Sequence, residues 1–264
     1  MLQNLLGSIG LGLPAVACPF GDPSVKTIIM SRDSRQHLLA IAVLIAVASA
    51  EVVKDFQALG GMAGVPLLDA MKHNQQLLQS TLQGLQPGDR FVVPNVTFWL
   101  LGGISVQGVH DAVIQIDGTL AFSNTRATWP TDSNGHVLEC MTLESFRNVT
   151  FTSGGHGTID GNGTAWWGAI NFAIYGENRP RLFVLPNSQD IVVEHILFKN
   201  SPYWTFYATN ANNLVIRYSE VDARITNQSI HTLEDLTAFN TDGFDGARML
   251  VDGAGRFSLV AECS

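Results

Sequence analysis

The hexapeptide Asn240-Thr241-Asp242-Gly243-Phe244-Asp245 sets carboxylates inside a short polar run punctuated by glycine. A carboxylate held in such a setting can activate water as a general base. Asp242 is therefore the candidate catalytic residue, with Asn240 beside it as a candidate substrate-binding residue. Asn, Asp and Gly are also the commonest turn residues, so an ordinary turn is the competing reading of the same letters. Asp245 follows Asp242 by three positions, and an odd offset in an extended strand turns two side chains to opposite faces, which makes Asp245 a poor partner acid. His156 in Gly155-His156-Gly157 reads as a loop histidine, and His195 as a satisfied core or edge residue of an apolar strand. His231 lies close before Asp242 without an assignable role. No Cys/His cluster has metal-ligand spacing, so neither a metal nor a cofactor is expected.

The elements that must position Asp242 are short strands. Val113-Ile114-Gln115-Ile116, Val149-Thr150-Phe151, Ile191 to Ile196 and Leu214-Val215-Ile216 are brief runs rich in β-branched residues. Three of them open on Asn148, Asp190 and Asn212-Asn213, and the step from Asp190 to Asn213 is 23 residues. The step from Asn148 to Asp190 is 42, one such period plus an insertion. A period in the twenties with strand and turn content predicts a β-solenoid, whose coils stack because none can bury its interior alone. A β-sandwich or barrel would also give many short strands. Its hairpin signals are missing, since Asn-Gly occurs only at Asn134-Gly135 and Asn162-Gly163, neither between matched strands. Insertions at roughly Gly154–Arg179 and Ala223–Phe239 should project from one side as groove walls. Trp166, Trp167, Tyr203 and Trp204 are then candidates for stacking on sugar rings, or else loop anchors. Upstream, Leu67, Leu68, Met71, Leu78, Leu82 and Leu85 recur at helical spacing until Pro87-Gly88, which predicts one amphipathic helix covering the open first coil.

Composition agrees with a packed, acidic protein. Hydrophobic residues make up 46% and charged residues 14%, the reverse of a disordered chain. A net charge of −8 argues against nucleic acid, which requires a concentrated basic face, and an anionic polysaccharide would need a local basic patch against that background. Leu38 to Ala48 is an unbroken apolar run, too short for a bilayer span of about 20 residues. Arg32 and Arg35 precede it and Ala48-Ser49-Ala50 follows, the order of a secretory signal peptide beginning at Met30, with residues 1–29 as an upstream extension. The domains are thus a leader, 1–50, and a β-helical part, 51–264. The protein is expected to be secreted, or membrane-tethered if the leader stays. Four sequons, at Asn95, Asn148, Asn162 and Asn227, suit that compartment. With the leader gone, the cysteines left are Cys140 and Cys263, which could pair, though nothing in the spacing shows it.

Four motifs in order give a more specific signal. Lys54-Asp55-Phe56, Gly157-Thr158-Ile159-Asp160-Gly161-Asn162-Gly163, Asn200-Ser201-Pro202-Tyr203-Trp204 and Asn240-Thr241-Asp242-Gly243 together resemble glycoside hydrolase family 28, the polygalacturonases and their relatives. The resemblance runs from about Glu51 to Asp245. It implies an all-β, right-handed parallel β-helix, here incomplete, with the helix as an N-terminal cap. It also implies metal-free hydrolysis of a pectin-like polysaccharide with inversion, in which Asp242 would be the water-activating carboxylate. Inversion needs a second carboxyl about 6.5–9.5 Å away as acid. The family's later Asp-Asp pair, Gly-His-Gly and Arg-Ile-Lys do not occur between Gly246 and Ser264. The expectation is a C-terminally truncated member with little activity as this chain; the alternative is a secreted, non-catalytic polysaccharide-binding β-helix.

The leader is directly testable. N-terminal sequencing of the secreted protein should return Glu51, and an intact Met1 in the mature protein would overturn the cleavage.

Overall fold

Every strand from Val53 onward pairs in parallel, and each finds its partner one winding away in the sequence. The computed structural model describes residues 51–155, 157–168, 174–223, 241 and 243–247, the last three for their backbone alone. After β1 (Val53–Asp55) and helix α1 (Leu68–Gln83), the chain makes coils of three strands each. The first is β2 (Arg90–Val93), β3 (Thr97–Leu100) and β4 (Ile104–Gln107). The second is β5 (His110–Ile116), β6 (Thr119–Phe122) and β7 (Met141–Glu144). The third is β8 (Arg147–Thr152), β9 (Gly157–Asp160) and β10 (Phe183–Pro186). The fourth is β11 (Gln189–Glu194), β12 (Ile196–Lys199) and β13 (Phe206–Thr209). The fifth is β14 (Asn212–Arg217), β15 (Glu220–Asp222) and β16 (Phe244–Ala247). Like strands stack into three sheets: A is β1-β2-β5-β8-β11-β14, B is β3-β6-β9-β12-β15 and C is β4-β7-β10-β13-β16. This is a right-handed parallel β-helix, the hand that strand twist imposes on parallel crossovers.

The 23-residue period is the rise of one uninterrupted coil, since Ile191 pairs with Leu214 and Phe183 with Phe206. The Asn and Asp residues that mark it do a definite job. Asp111, Asn148, Asp190 and Asn213 all take left-handed backbone, which short polar side chains tolerate best. Their side chains then bond from coil to coil, Asn148 Nδ2 to Asp111 Oδ1 at 2.6 Å and Asn213 Nδ2 to Asp190 Oδ1 at 2.7 Å. A second column, Ser145, Asn187 and Asn210, is also left-handed, with Asn210 donating to Asn187 Oδ1 at 3.0 Å. The apolar run Ile191 to Ile196 is not one strand. It breaks at His195, whose φ of 59° turns the chain from β11 into β12 and leaves the ring exposed, stacked on Tyr218 at 5.2 Å. His195 is a corner residue, not a core one.

Alternate side chains of every coil point inward and stack. Phe183 stacks on Phe206 at 5.0 Å and meets Phe151 and Phe198 edge-on at 5.3 and 5.7 Å. The first coil is closed by α1, which packs on β3 and β4 and contributes Leu78 and Leu82 to the core. Leu67, expected on the apolar stripe, precedes the helix and is exposed, because the stripe begins at Ala70 and Met71. The helix also substitutes for the missing preceding coil. Gln79 and Gln83 accept hydrogen bonds from the Ser105 and Gln107 amides of β4, and buried Asn74 donates to Trp99 O. Side-chain amides thus satisfy backbone groups that an open sheet edge would expose. Lys54 bridges Asp89 at 2.7 Å and the helix C-terminal carbonyl of Gly84, while Phe56 plugs the floor of the core.

Phe183→Ala, which empties the middle of this aromatic stack, should cost about 3–5 kcal/mol, read as a lowered denaturation midpoint with the same native circular dichroism.

Candidate functional site

All long insertions leave the helix at the corner between sheets B and C. Among the described residues these are 123–140 and the described parts of 161–182; residues 224–240, between β15 and β16 in sequence, lie outside the described residues. The second is the one expected at Gly154–Arg179, although it begins after β9; the insertion expected at Ala223–Phe239 lies almost wholly outside the described residues. The first, 123–140, carries no clear signal in the sequence. The first two are sewn together. Arg126 lies over the rings of Trp166 and Tyr175 at 4.5 and 4.3 Å and donates to Asn178 O, and Asn178 Oδ1 accepts from the Val137 amide at 2.9 Å. Trp129 meets Trp166 edge-on at 5.0 Å. Burial pushes the Arg126 guanidinium below its ordinary value. Trp166 and Trp167 are buried here, so they anchor the wall and do not present rings to a ligand.

Two of the sequence motifs prove to be neighbours. Gly161 and Gly163 lie against Asn200-Ser201-Pro202 of the next coil, and a Cβ on Gly163 would sit 2.6 Å from the Asn200 and Ser201 carbonyl oxygens. The glycines allow the backbone contacts Gly161 N to Lys199 O at 2.8 Å and Gly163 N to Asn200 O at 2.7 Å. Trp167 Nε1 adds a bond to Ser201 O at 2.9 Å. This packing holds the chain where it enters β13.

Beside that entry, on the outer side of sheet C, lies a cluster of polar and aromatic groups. Counting back two residues from the paired positions Met141, Phe183 and Phe206 gives Glu139, Arg181 and Trp204, one from each successive coil. Arg181 lies 4.8 Å from the Trp204 ring and 4.6 Å from that of Tyr207, and its Nη1 donates to Glu139 Oε1 at 3.0 Å. Glu139 Oε2 also accepts from the Arg181 amide. Tyr203, Trp204 and Tyr207 are half-buried, with Trp204 in ring contact with both tyrosines at 5.0 Å. Burial raises the Glu139 carboxyl despite the partly compensating Arg181 bonds. Behind it, Cys140 is a buried free thiol pushed well up by burial and by Glu139.

The same count from Phe244, which pairs with Phe206, reaches Asp242. Asp242 and Asn240 themselves lie outside the described residues, as do His156, His231 and Cys263. The residues flanking Asp242 are tied to the fourth coil: Thr205 Oγ1 donates to Thr241 O at 3.2 Å and Phe206 N to Gly243 O at 3.1 Å. Strand β16 begins at Phe244, so the alternation used to set Asp245 against Asp242 has no continuous strand to run along. Asp245 pairs in register with Tyr207. Arg181, Glu139 and Tyr207 escape a reading by motif. The available signal was their fixed offset from each strand of sheet C, visible only once the register is known. Among the described residues there is no group of three His, Cys, Asp or Glu side chains that could hold a metal, and no helix long and apolar enough to cross a membrane.

Native Glu139 keeps its proton at a pH where the unfolded chain has lost it, so unfolding there releases a proton and stability falls as pH rises. Across the upper carboxylate range and just above it, Glu139→Gln should flatten this decline in thermal midpoint; an unchanged slope would rule Glu139 out as its source.

Known proteins share the fold of this chain. An exopolygalacturonase of Cochliobolus carbonum is 27% identical over 179 residues, covering 67% of this chain and 38% of its own length. Among solved structures, endo-xylogalacturonan hydrolase from Aspergillus tubingensis superposes with a TM-score of 0.58 at 22% identity over 76% of this chain and 48% of that one. Polygalacturonase from Erwinia carotovora gives 0.52 at 20% over 66% and 50%. These two likenesses carry the fold. The chain thus spans well under half the length of the relative it matches in sequence. The model of glycosyl hydrolases family 28 matches residues 87–249, more than half of the chain and the whole of the coils described above, and the chain belongs to that family.

Proposed function

We propose that this sequence is part of a secreted glycosidase that hydrolyses galacturonan-type pectin, with Asp242 as the carboxylate that activates water for inversion and Asn240 as a contact to the sugar. The observation that carries this reading is the register. The corner position two residues before β7, β10 and β13 of sheet C holds Glu139, Arg181 and Trp204 in turn, and the same count back from Phe244 in the sequence reaches Asp242. Successive parallel strands lie about 4.8 Å apart, so a chain laid across the outer face of sheet C meets these side chains one after another. The relative in Cochliobolus carbonum, an exopolygalacturonase by name, supports the substrate class. Secretion rests on the leader and on the sequons. Of these, Asn95 is exposed, whereas the Asn148 amide is engaged by Asp111 and suits the ladder better than a glycan.

The Asp-Asp and Gly-His-Gly that the resemblance would pair with Asp242 are not found between Gly246 and Ser264. The stretch 1–264 holds the proposed water-activating carboxylate and the proposed sugar-binding face. Its exposed aromatic and cationic groups favour, as the second reading, a polysaccharide binder that breaks no bond.

On polygalacturonate, the chain should be retained by the polymer and release reducing ends near background. Release above background that falls about 10²–10⁴-fold in Asp242→Asn would show that this chain supplies its own acid. Absence of both retention and release would overturn the galacturonan reading.

A further inference from the structure

Among the described residues, the outer face of sheet C presents three solvent-reaching side-chain donors without a hydrogen-bond partner, and Arg181 Nε is a fourth, buried one. Arg181 uses Nη1 on Glu139, while its Nη2 makes no hydrogen bond, and about a third of the side chain is open to solvent. Trp204 Nε1 and Tyr207 Oη likewise have no hydrogen-bond partner, and neither is among the buried orphan atoms, so both reach solvent. The two rings hold the guanidinium between 4.6 and 4.8 Å of their centres, which fixes its plane before any ligand arrives. Glu139 fixes it from the opposite side. A pre-oriented guanidinium with Nη2 vacant, flanked by an indole N–H and a phenol hydroxyl, matches the carboxylate of an acidic sugar: three donors converge on its oxygens, and Tyr203 and the guanidinium already lie against the Trp204 ring. In a protein of net charge −8, such a local cation is what lets an anionic polymer settle.

We propose that Arg181, framed by Trp204 and Tyr207, binds the carboxylate of an acidic sugar at a subsite two coils before position 242, and so makes the protein discriminate a uronate from its neutral ester. The inference rests on the reading of sheet C as the polysaccharide face. Glu139 is the positioning residue: it touches no sugar and holds the guanidinium in place.

The test is equilibrium binding of the full chain to three polymers: de-esterified polygalacturonate, its methyl ester and polymannuronate. Wild type should prefer the acid to its ester. Arg181→Met, whose flexible thioether side chain still packs on the rings, should lose about ten- to a hundredfold on the acid and nothing on the ester, the size of a charge-assisted bond of about 1.5–3 kcal/mol. Arg181→Lys keeps the charge but not the fork and should fall between; Tyr207→Phe, with a single atom removed, should weaken the acid alone. Should Arg181→Met fail to fold, the Lys and Phe variants decide. Wild-type affinity for the acid in all variants, or no binding of either acidic polymer, overturns the proposal. Arg181-dependent binding of polymannuronate without polygalacturonate would keep the subsite and sink the galacturonan reading. Arg181-independent binding of polygalacturonate would do the reverse.

Discussion

A parallel strand in this protein satisfies its backbone only through the windings before and after it, and every other feature is subordinate to that pairing. Each coil must return to the same three columns, so extra residues can be accommodated only where the chain leaves the ladder. The insertions gather at the corner between sheets B and C, while the Asn and Asp ladders hold the corner between sheets C and A in register through side-chain bonds of 2.6–3.0 Å. Before the first coil only β1 is present among the described residues, pairing with β2 and leaving β3 and β4 without a preceding strand. There α1 supplies the missing partners with Asn74, Gln79 and Gln83, and Lys54 ties the helix end to the ladder.

The same pairing creates the candidate site. Residues distant in the sequence, Glu139, Arg181 and Trp204, occupy one column because the strands that follow them are in register. Stacking brings them into contact, so that a carboxylate holds a guanidinium and two aromatic rings flatten it. The walls are built on the same logic one layer out, with Arg126 between Trp166 and Tyr175 and Asn178 linking two insertions. Buried tryptophans therefore stiffen the wall, while Trp204 and Tyr207 stay half-buried beside Arg181. Burial, not residue type, separates these roles.

Much of the fold was legible because a solenoid writes its geometry into its period. Asp190 and Asn213 stand 23 residues apart since each must adopt left-handed backbone at the same corner, and few residue types accept that conformation. Inward positions must be apolar in every coil, which made β5, β8 and β14 readable. His195 misled for the converse reason: a corner residue between two apolar strands leaves no local mark when it is neither Gly nor Asn. Leu67 misled because helical spacing does not say where the helix begins.

The sequence by itself determined the solenoid, its capping helix and the family motif at Asp242, all of which rest on local spacing or on short residue strings. Tertiary structure alone decided that Trp166 is an anchor, that residues 123–140 form part of the wall and that Arg181 meets Trp204 and Tyr207. Those facts depend on which residues share a column, and a column joins positions 23 to 42 residues apart through backbone pairing that no single stretch of chain contains.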